Sequence, residues 1–288
     1  MESLRNAPGR CKYCNSEHVI KYGHYKGVQR YYCIDCHHKF VSSDTIPGMW
    51  YPDRKVSNAI WMYYEGLSLA AIRKKMLEQD NDYISRVSIY NWVQKRTQEV
   101  KKEVEKLRPS VGDVWVFIET LIPINGKDIW VWDIVDTKTK FLIVSQLSET
   151  RADFDIQQLM EKAWERVGKY PETLFHNNRD LSVLGKKMTR EMLTVAIGEK
   201  PVAIMNNSKL VKHIQSFLVA RSRAMRDLKS IRNAGAFLNG WLVHYNYFKP
   251  NPAANNRTPA YVAGLTVPRR ENLNRIINRN TKLEAVIR

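Results

Sequence analysis

Apolar positions along this chain follow three rhythms in turn. Residues 19–41 alternate: Val19-Ile20-Lys21-Tyr22-Gly23-His24 and Gln29-Arg30-Tyr31-Tyr32 read as arms of a small hairpin turning at Lys26-Gly27, and Lys39-Phe40-Val41 adds a strand. From residue 53 the spacing becomes helical. Asp53 can cap a helix through about Tyr64, with Val56, Ile60 and Tyr63 or Tyr64 on one face, and Glu65-Gly66 stops it. Ser68 caps a second helix over 69–78, whose apolar positions are Leu69, Ile72, Met76 and Leu77. Ser85 or Ser88 opens a third, through Val100 or beyond, with Ile89, Trp92 and Val93 inward. The run Lys101-Lys102-Glu103-Val104-Glu105-Lys106 continues it as a solvated linker ending at Pro109.

From Val111 strand patterning returns over 114–120, 129–136 and 140–146, with turns at Asn125-Gly126 and Thr137-Lys138-Thr139. A helix over 152–167, a strand over 173–177, a helix over 181–197, a strand over 201–206 and a helix over 209–224 follow. This order is that of an RNase H-like fold with a mixed five-stranded sheet. The expected architecture is therefore α+β and multidomain: 1–45 and 46–108 small modules, 109–265 the α/β domain, 266–288 a basic tail.

Charge changes the picture. The chain has 288 residues and a formal net charge of +17. Residues 1–108 hold 19 Lys/Arg and 12 Asp/Glu, 109–200 hold 12 and 14, and 201–288 hold 15 and 3. A near-neutral middle with basic ends points to a polyanionic partner, and double-stranded DNA is the one expected. No apolar run approaches the roughly 18 residues needed to cross a bilayer, and Met1-Glu2-Ser3-Leu4-Arg5-Asn6 lacks a signal-peptide core. No membrane association is expected, and the location expected is the cytoplasm or nucleoid.

All four cysteines lie in Cys11-x-x-Cys14 and Cys33-x-x-Cys36, separated by 18 residues. Two short pairs at this separation form a zinc-ribbon pattern, each pair placing two thiolates on one tight turn. Two disulfides or four free thiols are the rival readings; the missing export signal argues against disulfides. Four thiolates complete the zinc shell, so His37 and His38 are surface residues and the metal is structural.

Helix, turn and a longer helix with polar residues near its start make a helix-turn-helix arrangement. Arg86, Ser88, Asn91, Gln94, Lys95 and Arg96 are its candidate DNA contacts, because amides and guanidinium groups pair with base edges while lysine serves phosphates. A second cationic set, Lys209, Lys212, Arg221, Arg223, Arg226 and Lys229, can follow a phosphate backbone at helical spacing.

Four segments carry a resemblance: Trp130-Val131-Trp132-Asp133-Ile134-Val135-Asp136, Arg221-Ser222-Arg223-Ala224-Met225-Arg226-Asp227-Leu228-Lys229-Ser230, His244-Tyr245-Asn246-Tyr247 and Thr258-Pro259-Ala260-Tyr261-Val262-Ala263-Gly264. In order and spacing the chain resembles the DDE insertion-sequence transposases that carry an N-terminal zinc ribbon and helix-turn-helix. The resemblance implies an integrase-type domain that cuts and joins DNA with two metal ions held by Asp, Asp and Glu, acting as a dimer or higher assembly. Carboxylates serve because Mg²⁺ prefers hard anionic oxygens.

At the positions the resemblance assigns to that triad, this chain has Ile118, Asn177 and Lys212. A family triad of about −3 becomes about +1, and an ammonium about 4 Å from a bound cation repels it by several kcal/mol even at an effective dielectric near 20. The expectation is an inactive, domesticated transposase: a zinc-containing, homodimeric DNA-binding protein without catalytic Mg²⁺. Its expected role is regulator, chromatin-associated factor or transposition inhibitor. Two alternatives stand beside it: an active transposase using displaced ligands such as Glu119, Asp133 and Asp180, and an oligomeric assembly protein.

Overall fold

The computed structural model describes residues 9–25, 28–41, 51, 53–80, 83–150, 153–176, 202–204, 212–214 and 230–265. Near the N-terminus, β1 (Val19–Tyr25), β2 (Val28–Cys33) and β3 (Lys39–Val41) pair antiparallel in that order. Tyr31, Phe40, Cys11 and Cys33 form a small core of their own, separate from the large one. The turn at Lys26-Gly27 lies outside the described residues.

Three helices follow, α1 (Asp53–Tyr64), α2 (Leu69–Asp80) and α3 (Arg86–Val104). Gly66, at φ 102°, ends the first where a side chain would be strained. The Ser68 hydroxyl accepts from Ala71 N–H (3.2 Å), and that of Ser85 from Ser88 N–H (3.0 Å), so each caps its helix. Tyr63 and Tyr64 are both buried, whereas Leu77 is 41% exposed because its neighbour Met76 already faces the core.

The expected solvated linker is instead a strut. Val93, Val100 and Val104 keep the apolar period to the end of α3, and all are buried. Lys101 Nζ donates to Asn239 Oδ1 (2.7 Å), and Arg166 donates to the terminal carbonyl of Val104 (3.1 Å). Lys102, Glu105 and Lys106 of this run are exposed, while Val100 and Val104 face inward.

The main sheet contains β4 (Val114–Ile124), β5 (Lys127–Asp136), β6 (Leu142–Ser148), β7 (Thr173–His176) and β8 (Val202–Ile204), with α4 (Asp153–Val167) between β6 and β7. Its order is β6-β5-β4-β7-β8. The first three strands form an antiparallel meander; β7 runs parallel to β4 and β8 parallel to β7. Asn125 (φ 50°) and Gly126 (φ 77°) are both left-handed, as a two-residue hairpin turn of the favoured twist requires. β6 starts at Leu142 rather than 140 because the turn before it is larger. Asp136 organises that turn by accepting from Thr139 N–H (2.8 Å), Thr139 Oγ1 (2.5 Å) and Lys138 N–H (3.3 Å), and Lys140 takes φ 62°.

The chain then forms α5 (Ile231–Val243), a π-helical turn (His244–Phe248), a 3-10 turn (Pro252–Ala254) and α6 (Pro259–Val262). Helix α5 was not among the expected elements. Its signals are the Ser230 cap (3.2 Å from Asn233 N–H) and the apolar series Ala234, Phe237, Leu238, Trp241. Asn246 closes onto β6, accepting from Leu142 N–H and donating to Leu142 O, both at 2.8 Å. The helices expected over 181–197 and 209–224 lie outside the described residues, apart from 212–214, which are helical. No helix among the described residues is long and apolar enough to cross a membrane.

Candidate functional site

The cysteines sit on two matching turns. After each pair the next residue turns left-handed, Asn15 at φ 63° and His37 at φ 58°, and its N–H returns to the carbonyl of Cys11 or Cys33 at 3.0 Å. All four Sγ atoms lie within 4.8 Å of one another, with Cys11–Cys36 at 3.5 Å and Cys14–Cys33 at 3.6 Å. Four thiolates around Zn²⁺ at about 2.3 Å define edges of about 3.8 Å, so the set fits a tetrahedral metal such as zinc. All four are free thiols. Burial raises the thiol pKa at both Cys33 and Cys36. At Cys33 hydrogen bonds from the Cys36 backbone and the Cys14 thiol outweigh it and leave about 6, whereas Cys36 is pushed up to about 12. A cation is what would let all four ionise together. His37 and His38 are engaged elsewhere, with Tyr32 Oη and with the Cys36 carbonyl, both at 2.8 Å.

In the sheet, Ile118 lies at the centre of β4 and is wholly buried. Strand pairing sets it opposite Asp133, which in turn faces Ser145. Glu119 pairs with Trp132 and therefore projects from the other face of the sheet. Two faces separate Glu119 from Asp133, so the displaced-ligand set fails on geometry for these two residues. Helix α4 covers the Glu119 face, where Lys162 donates to Gln146 (2.8 Å) and Ser148 to Asp155 (2.9 Å). On the Ile118 face α5 approaches Leu147 at Gly235.

Asp133 is completely buried, and neither carboxylate oxygen has a hydrogen-bond partner of normal geometry among the described residues. Burial raises its pKa to about 7, opposed in part by the Ser145 hydroxyl. A raised carboxyl pKa means the folded chain holds its proton more tightly than the unfolded chain. This contribution is therefore full below about pH 4, declines as pH rises toward 7 and stays low above it. Asp133→Asn is expected to flatten that decline in urea unfolding series between pH 4 and 8; an unchanged slope would exclude Asp133 as its source. Asp136 is held by its three turn donors and His176 is buried on the face opposite Ile118, which leaves neither placed as a ligand beside position 118. Among the described residues the four cysteines are the one group of three or more metal-ligating side chains close enough to share an ion. Asn177 and Asp180 lie outside the described residues, while Lys212 is exposed on its helical turn.

On α3, Arg86, Asn91 and Lys95 are exposed, and Ser88 and Gln94 are partly so. Arg96 is corrected: it is 2% exposed and paired with Glu99 at 2.5 Å, so it is an interior residue here, not a DNA contact. Its spacing from Ile89, Val93 and Val100 already placed it on the apolar stripe. Lys209, Arg221, Arg223, Arg226 and Lys229 lie outside the described residues.

The seam between the helices and the sheet domain went unforeseen. Glu65 at the end of α1 accepts from His244 Nε2 (2.9 Å) and Lys249 Nζ (3.2 Å). The His244 bond, then the Lys249 charge, hold its carboxyl down at about 2. Tyr64 Oη meets Thr97 Oγ1 at 3.0 Å, with its ring stacked on His244.

A profile of the DDE domain matches residues 112–251. Among solved structures, the magnesium complex of the HTLV-2 integrase catalytic core domain, in its dimeric form, aligns at 12% identity and TM-score 0.35, covering 55% of this chain and 97% of that one. A chain of the simian T-cell lymphotropic virus intasome, in complex with PP2A regulatory subunit B56 gamma, aligns at 10% identity and TM-score 0.35, covering 55% and 56%. The chain thus spans little more than half the length of that intasome chain. No curated protein matches.

Proposed function

We propose that this chain, whose residues 112–251 are a DDE domain of the transposase type, is a DNA-binding protein that no longer performs strand transfer. The observation that carries the reading is Ile118, a fully buried hydrocarbon side chain in mid-sheet at the position the resemblance assigns to a metal-binding aspartate. Hydrocarbon offers no lone pair to a metal, and the nearest acid across the strand pair, Asp133, is enclosed and titrates near 7. Loss of the second and third carboxylates, at Asn177 and Lys212, belongs to the same reading.

What remains is binding equipment. Zinc at the four cysteines would hold the N-terminal sheet together, and α3 with the basic C-terminal third would engage duplex DNA. A homodimer, an intracellular DNA-associated location and a role as regulator, chromatin factor or transposition inhibitor complete the proposal.

The test uses the full chain with a genomic duplex library. Expected are salt-sensitive duplex binding and no nicking or joining with Mg²⁺ or Mn²⁺. Robust metal-dependent cleavage abolished by Glu119→Gln would overturn the inactive reading in favour of displaced ligands.

A further inference from the structure

Helix α3 buries one side against the core and leaves the other exposed. Its buried stripe is Ile89, Trp92, Val93, Arg96 and Val100. At 100° per residue the diametrically opposite stripe is Val87, Asn91, Gln94 and Gln98. Val87 is 68% exposed at the centre of that stripe, and Tyr83, just before the helix, is 73% exposed. No acid occurs in α3 before Glu99, and its first turn has none. Arg86 and Lys95 flank the stripe with positive charge. An acid-free helix face of one aliphatic residue and three amides suits a negatively charged partner that offers hydrogen-bonding edges and methyl groups.

The major groove of DNA is such a partner, and the composition of the stripe discriminates within it. Asn and Gln amides pair in two-point fashion with adenine N6 and N7, and an aliphatic side chain packs on the thymine C5-methyl group. Guanine calls for Arg or Lys and cytosine for an acid acceptor. The stripe itself has no arginine, lysine or acid. Resting on the DNA-binding reading above, we propose that α3 reads consecutive A·T base pairs in the major groove, with Asn91 and Gln94 on adenine edges and Val87 against a thymine methyl. Val87 is thus a specificity-determining residue, and Arg86 and Lys95 serve the flanking phosphates.

The full, metal-loaded chain is used to select duplexes from a random library, and affinities are read by fluorescence anisotropy. An A·T-rich core is expected. Replacing its thymines one at a time by uracil removes only the methyl and is expected to weaken wild-type binding about 3-fold at one position, with no effect on Val87→Ala. Asn91→Ala is expected to lose about 10-fold on the selected site and little on a G·C-substituted one. Both side chains are exposed, so neither variant disturbs the fold; matching circular dichroism melts confirm this. A G·C-rich selected core, or uracil tolerated everywhere by the wild type, overturns the inference while leaving DNA binding intact. No retention of any duplex at low salt overturns the DNA-binding reading itself, and the inference with it.

Discussion

Cys33→Ser is expected to unfold residues 9–41 while the rest of the chain keeps its cooperative transition. Among the described residues the N-terminal sheet's core is Tyr31, Phe40, Cys11 and Cys33 with Val19 and Cys36 packed against it, far too small to offset the entropy of ordering some thirty residues. A bound structural zinc ion contributes about 10 kcal/mol or more to such a module, and three thiolates with one hydroxyl forfeit most of it. The large core is separate, so the loss stays local. Zinc stoichiometry should fall from one per chain toward zero, with protease cleavage appearing within 9–41 and the main melting transition retained. A Cys33→Ser chain whose N-terminal sheet resists protease without metal would refute the zinc assignment.

Gly240→Ala is expected to destabilise the sheet–helix assembly by roughly 3 kcal/mol, the upper range for overpacking a buried contact. An added Cβ would collide with Tyr64 Oη and Cζ and lie 2.8 Å from Thr97 Cγ2. Tyr64 has little room to yield. Its ring is 2% exposed between His244 and Phe237, and its hydroxyl is bonded to Thr97. Displacing it would also strand a buried hydroxyl pair, adding to the cost. Gly235 in the same helix is the control. There the nearest atom is Leu147 Cδ1 at 3.9 Å, an ordinary contact, so Gly235→Ala is expected to gain up to about 1 kcal/mol from helix propensity. Urea unfolding of the two variants should move in opposite directions. If both shift alike, the close approach at Gly240 is not what docks α5 on α1 and α3.

Much of the site was legible in residue types. Cys-x-x-Cys spacing reported a tetrahedral cluster because thiolate chemistry admits few other uses for that pattern, and the free thiols now lie within reach of one ion. Ile118 was readable as a non-ligand because hydrocarbon has no lone pair in any fold. Arg96 was misread by side-chain type, since guanidinium suits a base edge, although its place among Ile89, Val93 and Val100 carried the contrary signal. Glu119 and Asp133 looked equally available in one dimension. Because Asp133 pairs with Ile118, it shares that face, and Glu119, the next residue along the strand, projects from the other.

The sequence by itself determined the periods, caps and turns: Ser68 and Ser85 at helix starts, Asn125-Gly126 in the hairpin, the alternating meander. Those are local matters, decided by backbone sterics and by hydrogen bonds within a few residues. Tertiary structure alone decided which of two helical glycines is indispensable, that Asp133 is fully buried, and that α3 is a strut fixed by Asn239 and Arg166. Each depends on atoms distant in the chain, Tyr64 against Gly240 or Lys101 against Asn239. Close approach and solvent exclusion are properties of the packed whole, and no pattern within one segment encodes them.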